Sequence, residues 1–71
     1  MTKEQVVNKL MELESVRELV EEIKEDYENG DTDWAIRGKL KLKGMIILAK
    51  ELKIIETEII NNEIIRWLRG E

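Results

Sequence analysis

Apolar side chains recur along the first part of the chain at Val6, Leu10, Leu13, Val16, Val20, Ile23 and Tyr27, in steps of four, three, three, four, three and four. That is the spacing of one helix face, and it predicts a helix over about residues 3–28. Thr2-Lys3-Glu4-Gln5 reads as a capping box at its start, and Asn29-Gly30 as its stop, because both residues tolerate the left-handed cap conformation. Asp31, Thr32 and Asp33 then offer caps for a second helix over about 33–52. Its apolar positions fall on two lines, Ile36-Leu40-Ile47 and Trp34-Leu42-Met45-Ala49-Leu52, which predicts burial on both sides.

Isoleucine doublets at 54–55, 59–60 and 64–65 repeat every five residues. An unbroken helix would turn each doublet about 140° from the last. A break at 53–57 restores order, with Thr57 capping a third helix over about 57–69 and Ile60, Ile64, Trp67 and Leu68 on one face. A strand reading competes: Lys39 to Lys43 alternates strictly, and residues 58–65 suit a hairpin turning at Asn61-Asn62. Good helix formers from Met45 to Leu52 favour the all-α reading. The expectation is a single helical domain over residues 1–71, a long antiparallel hairpin plus a shorter C-terminal helix.

Composition adds an oligomer to this picture. Seventy-one residues with no Cys and no His have neither disulfides nor the usual zinc ligands to staple a small fold. Ten Ile, eight Leu and four Val exceed what one small core needs, so a homodimer or larger assembly is expected. The opening MTKEQVVNKL has no apolar signal core, and no apolar run is long enough to span a bilayer, which places the protein in the cytoplasm, the host's if it is viral.

Without His or Cys, Ser-His and Cys-His nucleophile pairs are excluded. We expect no catalytic residue, metal or cofactor. Glu22-Ile-Lys-Glu25 resembles the ExxE element of all-α nucleotide pyrophosphohydrolases, a resemblance that implies a carboxylate–Mg²⁺ nucleotide hydrolase. The matching ExxD, Glu28-Asn-Gly-Asp31, falls across a turn and not on a second helix. Leu48-Ala49-Lys50-Glu51-Leu52-Lys53-Ile54, with Ile59 beyond it, resembles the first helix and turn of helix-turn-helix regulators and implies DNA binding as the alternative function. It departs at Lys53, where Gly is usual, and at Asn62, and Glu56, Glu58 and Glu63 would oppose phosphate contacts, so nucleic acid is the lesser partner.

Charge is sorted along the chain. Residues 1–33 carry net −7, residues 34–53 net +5 and residues 54–71 net −2. The basic block IRGKLKLKG holds Arg37, Lys39, Lys41 and Lys43 between Gly38 and Gly44. Two readings follow. The block can pair with Glu18, Glu21, Glu22, Glu25 and Asp26 across the hairpin. Alternatively, with Trp34, it can meet a protein partner or an anionic small ligand such as a nucleotide. Two glycines inside a helix cost about 1 kcal/mol each relative to Ala, which implies close approach of another backbone or a ligand. Trp34, Gly38-Lys39 and Gly44-Met45 are together similar to small phage proteins that sequester cyclic nucleotides. The expected function is a small non-enzymatic binding or regulatory protein, an inhibitor or adaptor of the phage or mobile-element accessory kind.

Overall fold

The capping box forms as read: Thr2 Oγ1 accepts from the Gln5 amide at 3.1 Å, and Gln5 Oε1 accepts from the Thr2 amide at 2.8 Å. It opens the first of four helices in the computed structural model, which describes residues 1–70: α1 Lys3–Met11, α2 Glu14–Glu28, α3 Thr32–Glu51 and α4 Asn61–Leu68. No strand occurs among the described residues, so 39–43 are helical and 58–65 form no hairpin.

The helix expected over 3–28 is two helices. Leu13 adopts an extended backbone, φ −81° and ψ 117°, between α1 and α2. The physical reason lies in the two successive three-residue steps, Leu10 to Leu13 to Val16. On one continuous helix they would swing the apolar line by about 120°. Breaking at Leu13 lets Leu10 and Val16 both reach the core, where each is 0% exposed. The break is tied by Arg17, whose Nη1 donates to the Met11 and Glu12 carbonyls at 2.8 and 3.2 Å. These are the carbonyls that a helix end leaves without partners.

At the end of α2, Gly30 takes φ 78°, the Asp31 amide donates to the Asp26 carbonyl and the Gly30 amide to the Tyr27 carbonyl. This double closure is the Schellman arrangement. The same closure ends α3, with Ile54 N–H to Ala49 C=O at 2.9 Å and Lys53 N–H to Lys50 C=O at 3.2 Å. Here Lys53 holds the left-handed position at φ 60°, against a cost of about 1–2 kcal/mol for a residue with a Cβ.

The C-terminal helix, α4, begins at Asn61 and not near residue 57. Thr57 Oγ1 accepts from the Ile59 amide, two residues on, which makes a local turn and not a helix start. Lys50 Nζ holds the segment from the other side, donating to Ile59 O at 2.8 Å and Asn61 Oδ1 at 2.7 Å. Residues 52–60 therefore separate α3 from α4, where a helix-turn-helix would use three or four.

One cluster of buried side chains draws on all four helices. It contains Val6 and Leu10 of α1, Leu19 and Ile23 of α2, Leu42 and Ile46 of α3, Ile64 and Leu68 of α4, and Ile55 from the connection. Each fully buried side chain of this size contributes about 1.5–3 kcal/mol. α3 packs against α2 on one side and α4 on another, and α1 bridges α2 and α4. Among the described residues no polar or charged side chain is buried.

The two glycines of α3 part company. Gly38 is buried, and a Cβ there would lie 2.7 Å from Ile23 Cγ1 and 3.3 Å from Ile23 Cδ1. Its close neighbour is α2 of the same chain. Gly44 has nothing within 4 Å of where a Cβ would stand.

Candidate anion-binding cleft

A helix advances about 100° per residue, so basic residues at every second position cannot share a face. Arg37, Lys39, Lys41 and Lys43 accordingly divide between two sides of α3. Lys39 and Lys43, one turn apart, line a cleft of about 510 Å³ between α3 and α4. Across it stand Arg66 and Arg69, with Asn62, while Ile36, Leu40 and Ile65 supply apolar surface. Arg37 lies outside the cleft, its guanidinium 4.9 Å from the ring centroid of Trp34, which is 60% exposed. Lys41 is exposed and also outside it. Of the five residues singled out from sequence, the fold thus brings together Lys39 and Lys43, sets Trp34 with Arg37, and leaves Lys41 apart.

Tyr27, near the end of α2, anchors the cleft's far end. Lys39 Nζ lies 5.0 Å and the Arg69 guanidinium carbon 4.7 Å from its ring centroid. Two cations on one ring are each attracted by its quadrupole, worth about 0.5–1 kcal/mol apiece at exposed sites. Arg66 meets Glu63 at 3.4 Å, both ends partly solvated. Such exposed pairs contribute about 0–1 kcal/mol. Lys39, Lys43, Arg66 and Arg69 thus stand around an apolar wall.

A larger hollow of about 660 Å³ lies between Met1 and residues 50–59. There Lys50 and Lys53 are opposed by Glu56 and Glu58, and the Lys50 ammonium is already engaged by Ile59 and Asn61. Its two lysines and two glutamates offset one another.

The pairing reading of the basic block finds no contact to rest on. Among the described residues the ion pairs are Lys9–Glu12 at 4.0 Å and Arg66–Glu63, neither of which joins α2 to α3. Replacing Lys39, Lys41 and Lys43 together with Gln should therefore cost at most about 0.5–1 kcal/mol, the worth of the Lys39–Tyr27 contact, with little dependence on salt. Denaturant melts at low and high salt measure this. A loss of about 1–2 kcal/mol at low salt that fades at high salt would instead reveal cross-helix pairing. The carboxylates of α2 do not assemble either: among the described residues no group of three stands close enough to hold a metal ion. No helix of the described residues is long and apolar enough to cross a membrane.

Asn62, Ile65, Arg66 and Arg69 escaped the sequence reading. The signal that could have found them is the Arg66-Trp67-Leu68-Arg69 spacing on a helix whose buried residues are Ile64, Ile65 and Leu68. Two arginines three residues apart on such a helix share a face. Comparison with known protein families, with curated proteins and with solved structures finds no match for this chain.

Proposed function

We propose that the protein is a non-enzymatic cytoplasmic binding protein whose α3–α4 cleft takes an anionic small ligand of the nucleotide class. An antiparallel α2–α3 hairpin displays Lys39 and Lys43, and α4 sets Arg66 and Arg69 opposite them. The observation that carries the reading is the cleft itself, with Lys39, Lys43, Arg66 and Arg69 around Ile36, Leu40 and Ile65. Guanidinium groups bind phosphate oxygens in pairs, and lysines add point charge. The apolar wall suits the flat face of a base. A volume of about 510 Å³ lies inside the ~300–1,000 Å³ range of small-molecule sites. No nucleophile–base pair of the Ser-His or Cys-His kind is available to act on what is bound. DNA binding is less favoured, because the long α3–α4 connection cannot present α4 as a recognition helix docked by a tight turn.

Calorimetric titration of a panel of mono-, di- and cyclic nucleotides tests this. For a nucleotide that binds, Lys43→Glu with Arg66→Glu should weaken affinity by at least about tenfold, equivalent to about 1.4 kcal/mol. Lys41→Glu with Lys24→Glu makes the same change of charge outside the cleft and should change affinity by less than about threefold. Equal losses from both pairs would reduce the effect to overall charge. Failure of every nucleotide to bind rejects the proposal.

A further inference from the structure

We infer that the outer face of α3 is the contact between two copies of this chain, packed antiparallel about a two-fold axis at Gly44. This goes beyond the ligand reading and does not depend on it.

Ile36, Leu40, Gly44, Leu48 and Leu52 follow one another at intervals of four residues. Such a series forms a single ridge on a helix. The four large members are 48%, 64%, 53% and 61% exposed, although every one is aliphatic. They lie opposite the α3 side that carries Leu42, Ile46 and Ala49 into the core. Gly44 stands at the ridge's midpoint, and nothing in its own chain calls for a glycine there. A gap in the middle of an apolar ridge is what a crossing helix needs to come close.

The ridge is also symmetric about that gap. A two-fold axis through Gly44 sets Leu40 against Leu48 of the partner subunit and Ile36 against Leu52 of the partner subunit, and the reverse pairs follow. The same operation sets Arg37 against Glu51 of the partner subunit. Arg37 is the first cation of the basic block and Glu51 the one acid of residues 34–53. Opposite charges therefore meet at both ends of an antiparallel crossing. A parallel arrangement would set Arg37 against Arg37 and lose this match. A two-fold interface must be self-complementary in this way. Packing of four-residue ridges against each other crosses at about −50°, a common geometry in globular proteins. The apolar surface available is on the order of 500 Å² per copy, at the upper end of the patches that monomers expose and short of the ~800 Å² per partner of standard interfaces. That predicts a dimer of micromolar strength, and not an obligate one. Ile36 and Leu40 also line the α3–α4 cleft, so the partner's Leu48 and Leu52 would wall its open side.

Sedimentation equilibrium of the full chain across the micromolar range tests the inference. The expected mass rises to twice the 8.4 kDa of one chain. Gly44→Leu should shift dissociation by at least about tenfold in concentration, the equivalent of about 1.4 kcal/mol. Its helical circular dichroism should be retained, because the added side chain meets nothing within its own fold. Arg37→Glu should weaken the dimer, and Arg37→Glu with Glu51→Arg should restore it. A monomer at every concentration overturns the inference, whether or not the face then takes up another protein or a lipid surface. A dimer indifferent to Gly44→Leu and to the charge exchange overturns it equally.

Discussion

Replacing Gly38 with alanine is expected to destabilise the protein by about 1–3 kcal/mol, the usual cost of forcing extra atoms into a packed core. For a chain of this length total stability is on the order of 4–10 kcal/mol, so the loss is a substantial share of the whole. The added methyl would stand 2.7 Å from Ile23 Cγ1, a side-chain atom near the backbone of α2. Ile23 is 0% exposed and cannot swing into solvent. Relief must come from moving α2 off α3, which disturbs Leu19 and Tyr27 as well. Intrinsic helix propensity acts the other way, favouring Ala over Gly by about 1 kcal/mol, and the steric term must exceed it. Gly44→Ala isolates the propensity term. Below the concentration at which the proposed dimer would form, it should gain about 0.5–1 kcal/mol, because its methyl meets nothing within its own chain. The sign difference between two glycines of one helix is the result to measure, by urea denaturation with helical ellipticity as the signal. A second measurement fixes the cause. In the Ile23→Ala background the clash is gone, so Gly38→Ala should cost less there than in the parent. That coupling is the mark of a direct contact. If Gly38→Ala and Gly44→Ala stabilise alike, the close packing of α2 on α3 is wrong.

The same pair of glycines shows what the sequence could and could not disclose. Their presence inside a helical pattern announced a close approach, but which neighbour approached was a tertiary fact. Gly38 was answered by the chain's own α2, whereas Gly44 was left facing outward. Local chemistry was legible where the signal was short in range. The partners of the Thr2–Gln5 box, and those of the Gly30 cap, lie within a few residues of each other in sequence, and both motifs formed as read. α3 occupies nearly the stretch expected of it, although Asp31 at its start makes no side-chain capping bond; the Gly30 turn before it and the closure at Lys53 after it set its bounds. The break at Leu13 was hidden, since steps of three and four both count as helical in a one-dimensional reading. Only the cumulative rotation of two threes exposes it. For the cleft, one wall was visible and the other was not. Lys39 and Lys43 stood out in a conspicuous basic run. Arg66 and Arg69 lie more than twenty residues downstream, and only the fold sets them opposite the lysines. Arg37 and Lys41 were drawn in by proximity in sequence, although the helix turns them away.

The isoleucine doublets provide the largest expected effects of all. A helix running over 57–69 would put Ile60 and Ile64 on one buried face. With α4 starting at Asn61, Ile60 is 69% exposed and Ile59 39%, while Ile64 is 0% and Ile65 6%. Between them, Ile55 is 1% exposed although it sits in irregular chain. Truncation to alanine should separate these residues cleanly. Ile64→Ala and Ile55→Ala should each cost about 2–5 kcal/mol, through lost burial and the cavity left behind. Ile60→Ala should fall within about 0.5 kcal/mol, as surface changes do. Ile55 has the greater structural consequence of the two buried sites. It is the one fully buried side chain in the stretch from 52 to 60. Beyond the Schellman closure at its start and the partly buried Ile54, the stretch is held by exposed hydrogen bonds: the Glu56 amide donates to Met1 Sδ at 3.1 Å, and Lys50 Nζ donates to Ile59 O. Exposed bonds exchange with water at little net cost. Without Ile55 the connection should loosen, and α4 with its arginines should lose its fixed place opposite Lys39 and Lys43. Ile55→Ala is therefore expected to weaken ligand binding in the cleft even below its unfolding midpoint, which Ile60→Ala should not do. Thermal melts of the alanine variants, read beside the nucleotide titration, measure both effects together. Equal losses at Ile60 and Ile64 would restore the longer helix, and an inert Ile55→Ala would show that the connection is held by something other than its one buried anchor.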